Sequence, residues 1–428
     1  MDRYFGIFGI IVIFAIAFGL SNNRKAINYK TVLTGFLLQI LLAIFIFKVP
    51  LGRELFMFFG QCIQKILDFA YIGGQFVFGG LMDVETFDKL FGSGRRIFAL
   101  QLIASNIFMM ILVNILYYYN IMQRVVSFLG RIMNKIMDVS GAEALSNVAS
   151  SFVGQIVAQI MVKPYLEKMT RSELLASMAG SMACISGAMM PIYIGMGIPA
   201  PYILASCLMA APGAMVISKI IYPETGTPET KNVIRISKRK THINVFDAIS
   251  SGASEGMKVA ISVVAMILAL IALVAMIDFL LGGLGSFITK IFHLTAPVLG
   301  LDFANLSLNM ILGKLFAVFA WIIGTPVNEC ATVGSLMGTK IVLNEMVAFV
   351  DLTNLAGTIS PKSFMLASFA LCSFGNFGSI AIQIGGIGEL APNQRKNLAR
   401  LAVRALICGT LTCYMSAAIV GVLINKFE

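Results

Sequence analysis

With 428 residues, of which 58% are hydrophobic and only 12% charged, the chain is too apolar for a soluble domain, where about a quarter of residues carry charge. A mean hydropathy of +0.87 points to a polytopic membrane protein. The net charge of +11 is read as basic loops held on the cytoplasmic side of an inner membrane, and nucleic acid is not an expected partner.

The elements follow in chain order from the apolar runs. Residues 4–20 and 31–47 read as spans one and two, with Arg24, Lys25 and Lys30 between them on the cytoplasmic side. That places the N-terminus outside. The first run lacks a small-x-small cleavage site and is expected to be retained. Residues 51–89 alternate apolar positions with Arg53, Glu54, Lys65 and Asp68, the pattern of an amphipathic helix lying at the interface. A third span covers residues 97–119, and Arg124, Arg131 and Lys135 mark a second connector.

Residues 140–163 are too polar for a clean span and fold back at Phe152-Val153-Gly154-Gln155, as a re-entrant hairpin would. A span interrupted at Cys184-Ile185-Ser186-Gly187 follows, then one over residues 201–222. Residues 223–258, with Lys231, Arg235, Lys238, Arg239 and Lys240, form the longest polar stretch and read as a cytoplasmic linker. Past the span at 259–281, an outer loop containing His293 leads into the second half. Residues 306–350 are punctuated at Gly324-Thr325-Pro326 and at Gly338-Thr339-Lys340, which fits a hairpin entering from outside. Residues 364–386 are broken at 374–379, and the last span, 401–424, leaves the C-terminus outside.

The expected fold is therefore an all-α polytopic membrane protein with about eight transmembrane helices and two re-entrant hairpins in inverted repeats. Four regions follow: 1–95, scaffold spans and interfacial helix; 96–222, first repeat; 223–258, basic linker; 259–428, second repeat.

Hydrogen-bonding side chains at the interruptions are the candidate functional residues, because polar groups at membrane depth are costly and mark solute paths. Glu329 could accept from two adjacent hydroxyls, as charge-assisted bonds favour. Asn376 offers one acceptor and two donors, and Ser379 lies one helical turn further on. Gln155 offers the same amide chemistry, and Phe374 and Met189 could pack on a flat ring. Each has a plainer reading, such as a cap, a back-bonded serine or core packing. Enzyme chemistry lacks its signatures: the histidines are His242 and His293, and there is no His-Glu-x-x-His, Gly-x-Ser-x-Gly or Walker A sequence. The seven cysteines form no Cys-x-x-Cys pair, and no cofactor is expected.

The stretch Gly334-Ser335-Leu336-Met337-Gly338-Thr339-Lys340-Ile341-Val342-Leu343-Asn344-Glu345 resembles the second-hairpin signature of the concentrative nucleoside transporters. Ala370-Leu371-Cys372-Ser373-Phe374-Gly375-Asn376 and Ile384-Gly385-Gly386-Ile387-Gly388 resemble the family's following broken helix, and Phe152-Val153-Gly154-Gln155 its first hairpin. The resemblance implies a homotrimeric, cation-coupled secondary transporter that moves nucleosides by an elevator-like shift. It also implies a ribose-facing set of Glu329, Asn376 and Ser379, with Phe374 nearby. Where the family follows its Gly-Gln with a hydroxyl residue and a glutamate toward the base, this chain has Ile156 and Val157. Where sodium-coupled members use an Asn and a Ser, it has Ser150 and Cys184; with the carbonyls near Val153, Cys184 and Ile185 these form the expected ion site. H+ or Na+ is left open as the coupling ion. A modified nucleoside, a related small solute or passive flow are the alternatives.

Overall fold

The computed structural model describes residues 2–91, 97–187, 189–231, 242–292, 303 and 306–424. Helices α1 (Asp2–Gly19) and α2 (Tyr29–Phe47) are the first two apolar spans. The Asn28 side chain caps α2 by accepting from the Lys30 and Thr31 N–H groups at 3.1 and 3.3 Å. α3 (Pro50–Phe78) and α4 (Val84–Phe91) take up the amphipathic stretch. α3 begins with Pro50 in its first turn and leaves Phe76 and Val77 exposed at its far end.

The rest of the chain uses one element order twice. In the first half come α5 (Phe98–Tyr118), α6 (Ile121–Met137), the pair α7 (Gly141–Val153) and α8 (Gln155–Met161), and the short α9 (Lys163–Leu166). The interrupted helix α10 (Arg171–Ala183) and α11 (Met190–Gly195) follows, and then α12 (Ala200–Ile221). In the second half come α13 (Val245–Phe292), α14 (Leu308–Ile322), the pair α15 (Cys330–Val342) and α16 (Glu345–Asn354), the interrupted helix α17 (Pro361–Leu371) and α18 (Phe377–Leu390), and α19 (Arg395–Leu423). Each half is thus a long helix, a helix packed on the hairpin's first arm, a hairpin, a broken helix and a crossing helix.

Among the described residues six helices are long and apolar enough to cross a membrane. Setting aside amphipathic α3, and adding α1 and the two interrupted helices, gives the expected eight crossings.

Three expectations need correction. The second hairpin turns at Leu343-Asn344, where Asn344 caps α16 by accepting from Val347 N–H at 3.0 Å. Gly324-Thr325-Pro326 is instead the turn that lets α14 fold back onto α15: Gly324 sits at φ +99°, in the left-handed region, and Pro326 cannot continue a helix. The basic residues at 124–135 lie within helix α6 and not in a connector. Finally, α13 starts at Val245, so the end of the expected linker is the first part of a helix about 72 Å long at 1.5 Å per residue. His293, Arg235, Lys238, Arg239 and Lys240 lie outside the described residues.

Small residues allow the close contacts. A Cβ on Gly252 or Gly256 of α13 would stand 2.7 or 2.6 Å from the Cα of Ile111 or Ile107 on α5. The buried core is α7, α10, α12 and α19. Hydroxyl and amide groups join α7 and α8 to α10: Ser150 Oγ of α7 lies 2.9 Å from Ser181 Oγ, and Gln159 of α8 both donates to Ser181 (3.0 Å) and accepts from Ser177 (2.8 Å).

The base of the first hairpin is fixed by charge. Lys219 of α12 meets Glu143 of α7 at 2.7 Å with both side chains nearly inaccessible, and its ammonium donates to Ser172 of α10 at 2.9 Å. Capping boxes begin both α7 (Ser140 with Glu143) and α10 (Thr170 with Glu173). Replacing Lys219 with alanine strands a buried carboxylate and is expected to cost about 3–5 kcal/mol. The check is the melting temperature of the purified protein in detergent, where a Lys219→Met, Glu143→Leu double variant recovers much of the loss.

Candidate functional site

The interruptions meet. At the tip of the first hairpin Gly154 adopts φ +85°, and a Cβ there would press on the Cβ of Ser186 at 3.1 Å. The break between α10 and α11 comes up against this tip, with Gly187 N–H donating to Phe152 O at 3.0 Å. The break between α17 and α18 joins them through Phe374 N–H, which donates to Cys184 O at 3.1 Å. Backbone groups freed by each broken helix therefore satisfy one another, as a site at membrane depth requires.

The second hairpin contributes a carboxylate. Glu345, the first residue of α16, is 4% exposed and accepts from Tyr193 OH at 3.1 Å and from Asn376 Nδ2 at 3.3 Å. Tyr193 belongs to α11 and Asn376 caps α18, so this carboxylate ties the hairpin tip to both broken helices. The Tyr193 ring stacks on Phe349 of the same hairpin arm, centroids 4.6 Å apart.

Asn376 and Ser379 share this place. The Asn376 carbonyl accepts from Ser379 N–H at 2.8 Å while its NH₂ reaches Glu345, so the capping role and the role at the site coexist. Ser379 Oγ donates to Phe374 O, and Phe374 itself is half-buried against the core. Gln155 opens α8, its carbonyl 3.5 Å from the Nε2 of Gln383 on α18. Ile156 packs on Gly386 of α18, and Met189 is buried just ahead of α11. Val157 and Val153 face a cavity of about 1070 Å³ between the first hairpin and the α5–α13 pair, where Asn114, Glu255 and His242 form the opposite wall.

Ser150, Cys184 and Ile185 of the expected ion site each have a hydrogen-bond partner within the protein. Ser150 Oγ donates to Ser146 O at 2.7 Å, and the Cys184 thiol lies 3.2 Å from Gly180 O. The Cys184 carbonyl accepts from Phe374, and the Ile185 carbonyl from the Cys207 thiol at 3.7 Å.

Glu329 is not brought to this place. Its carboxylate accepts from Ser360 N–H and Oγ at 2.9 and 2.7 Å, at the start of α17, whereas Asn376 follows that helix's end. The eleven residues of α17 put about 16 Å between the two, so one small solute cannot touch both. Glu329 instead joins the base of the second hairpin to α17. The residue missed as a site member is Glu345, although Asn344-Glu345 ends the hairpin motif itself. The signal was the Asn cap, which marks a helix start and hence the tip.

Similarity to known proteins runs along the whole chain. Residues 202–421 match the family described as Na+ dependent nucleoside transporter C-terminus, residues 8–81 that of its N-terminus, and residues 99–200 the Gate family, described as nucleoside recognition. Nucleoside permease NupC of Helicobacter pylori is 37% identical, covering 98% of each chain. The sodium/nucleoside cotransporter 1 of Rattus norvegicus is 31% identical over 97% of this chain and 63% of its own length. The fold is similar to CNTnw in an inward-facing substrate-bound state, with a TM-score of 0.89 at 38% identity over 99% of this chain and 98% of that one. A substituted CNTnw in an outward-facing state gives a TM-score of 0.91 at 37% identity with the same coverage. These relatives are transporters and not enzymes. Alike in fold and in sequence from end to end, this chain belongs to the Na+ dependent nucleoside transporter family, the concentrative nucleoside transporters that its motifs resemble.

Proposed function

We propose that the chain is a secondary active transporter that brings nucleosides across the cytoplasmic membrane. In this reading Glu345, Asn376 and Ser379 take the ribose, and Gln155 takes the base among Ile156, Val157, Met189 and Phe374. The observation that carries it is the buried Glu345 carboxylate, held by Tyr193 and Asn376 where the tip of the second hairpin meets both broken helices. A carboxylate accepts from adjacent hydroxyls, and an amide beside it supplies a donor and an acceptor to the same sugar. Ile156 and Val157 offer no hydrogen bond to a base, which leaves room for a modified nucleoside as cargo.

Movement follows an elevator scheme. The two hairpins and the two broken helices travel as one block against a frame that includes α5 and α13. The cavity of about 1070 Å³ between the first hairpin and that frame supports this division, since it separates the block's edge from the frame. In this reading the halves insert oppositely, the loop carrying Arg24 and Lys25 faces the cytoplasm, both termini lie outside, and three copies assemble. The apolar exposed face of α13, with Leu268 and Phe279, would then meet lipid or a neighbouring copy.

Cation coupling is part of the proposal, with the proton placed ahead of sodium. The Cys184 position offers a thiol where the resemblance leads one to expect a hydroxyl in sodium-coupled members, and a thiol is a poor ligand for a hard ion.

Glu345→Gln is expected to weaken uridine binding about ten- to hundredfold, the worth of bonds to a charged group. Glu329→Gln leaves binding unchanged and lowers the melting temperature. Calorimetry and thermal melts check both, and unchanged uridine affinity in Glu345→Gln overturns the ribose assignment. In liposomes, a proton gradient drives uptake while a sodium gradient alone does not. The Ser150→Asn, Cys184→Ser double variant gains sodium dependence; uptake by the unaltered protein that follows sodium alone refutes the proton reading.

A further inference from the structure

One cation in the membrane interior has no role so far. Lys340, in the last turn of α15, is 0% exposed, and its Nζ has no hydrogen-bond partner among the described residues. It points into the break between α17 and α18. The ammonium is 3.2 Å from where a Cβ on Gly375 would stand, and the Met182 carbonyl of α10 is 3.1 Å from the same point. Gly375 has no side chain, which leaves the space that the ammonium occupies.

This position is electrically selected. α10 ends at Ala183 and α17 at Leu371, and the hydrogen bond from Phe374 to Cys184 holds the two ends together. Helix C-termini carry partial negative charge and favour a cation. The titratable groups facing Lys340 are Glu345 of α16, Cys372 in the break and Cys413 of α19; those facing Glu345 are Tyr193 and Lys340. A buried lysine without a partner is costly, and so is a buried carboxylate. Glu345 is bonded to Asn376, the chain neighbour of the Gly375 against which Lys340 lies, so the two opposite charges flank one break and each offsets part of the other's cost.

We propose that Lys340 is a positioning residue for the nucleoside site: its ammonium, lodged where the two broken helices cross, is the counter-charge that lets Glu345 stand ionised and accept from ribose hydroxyls. This rests on the assignment of Glu345 to the ribose. It gives the moving block a carboxylate for its cargo without a net buried charge to carry through the bilayer.

The test uses the full chain in lipid nanodiscs and compares the binding of uridine with that of 2′,3′-dideoxyuridine. The unaltered protein prefers uridine. Lys340→Met, close in shape but uncharged, lowers uridine affinity about tenfold or more and brings the two ligands toward equal affinity. In a double-mutant cycle, Lys340→Met combined with Glu345→Gln is no weaker than Glu345→Gln alone. If Lys340→Met does not fold, the double variant, with both charges gone, regains a higher melting temperature; absence of that rescue overturns the proposal. If Glu345→Gln loses the ribose preference while Lys340→Met keeps it, the counter-charge role fails and the ribose assignment stands. If Glu345→Gln keeps the preference, the ribose assignment fails and takes this inference with it.

Discussion

A backbone that stops being helical inside hydrocarbon exposes N–H and C=O groups that water cannot reach, each costing several kcal/mol. This constraint organises the protein. The tip of the first hairpin, the break after Ala183 and the break after Leu371 donate to and accept from one another through Gly187, Phe152, Phe374 and Cys184. None of the three could persist in lipid alone. Their mutual satisfaction makes the meeting point rigid, and it also gathers side chains from four distant parts of the chain.

The same logic extends to side chains within the spans. Gln39, wholly buried in α2, donates to Ser416 of α19 at 2.8 Å. Asn147 of α7 donates to the Glu143 carbonyl of its own helix and to the Ala176 carbonyl of α10. These bonds fasten helices that have no hydrophobic drive to associate in lipid. Around the site the polar groups serve two purposes. Asn376 caps α18 with one atom and holds Glu345 with another, so the fold pre-orients the group that the cargo would use.

A division of labour follows in the packing. The α5–α13 pair meets through the glycines at 252 and 256 and leaves most of α13 exposed. The first hairpin and the broken helices, by contrast, pack around α12 and α19, whose spans are largely enclosed, and the second hairpin packs on α14 and α17. The large cavity lies along the boundary between these two groups, where a polar cluster of Asn114, Glu255 and His242 faces the first hairpin.

Much was legible in the chain because lipid punishes polarity so heavily. Apolar runs and the glycine-containing interruptions at 154, 187 and 375 mark spans, hairpin and breaks by local chemistry alone. Which turn is the second hairpin's tip was not legible: Gly324-Thr325-Pro326 and Leu343-Asn344 both break a helix, and only the packing of α14 along α15 decides between them. With the tip read at Gly324-Thr325-Pro326, Glu329 is taken for the tip carboxylate, whereas the residue at the tip is Glu345, at the opposite end of a helix of about 20 Å. Lys340 likewise shows in the sequence only as a basic residue after a small one; its setting beside Gly375 comes from parts of the chain brought together by folding. Local sequence controls where a helix must stop, because that is a matter of neighbouring backbone. Which stops share one site depends on long-range contacts, and those exist only in the folded chain.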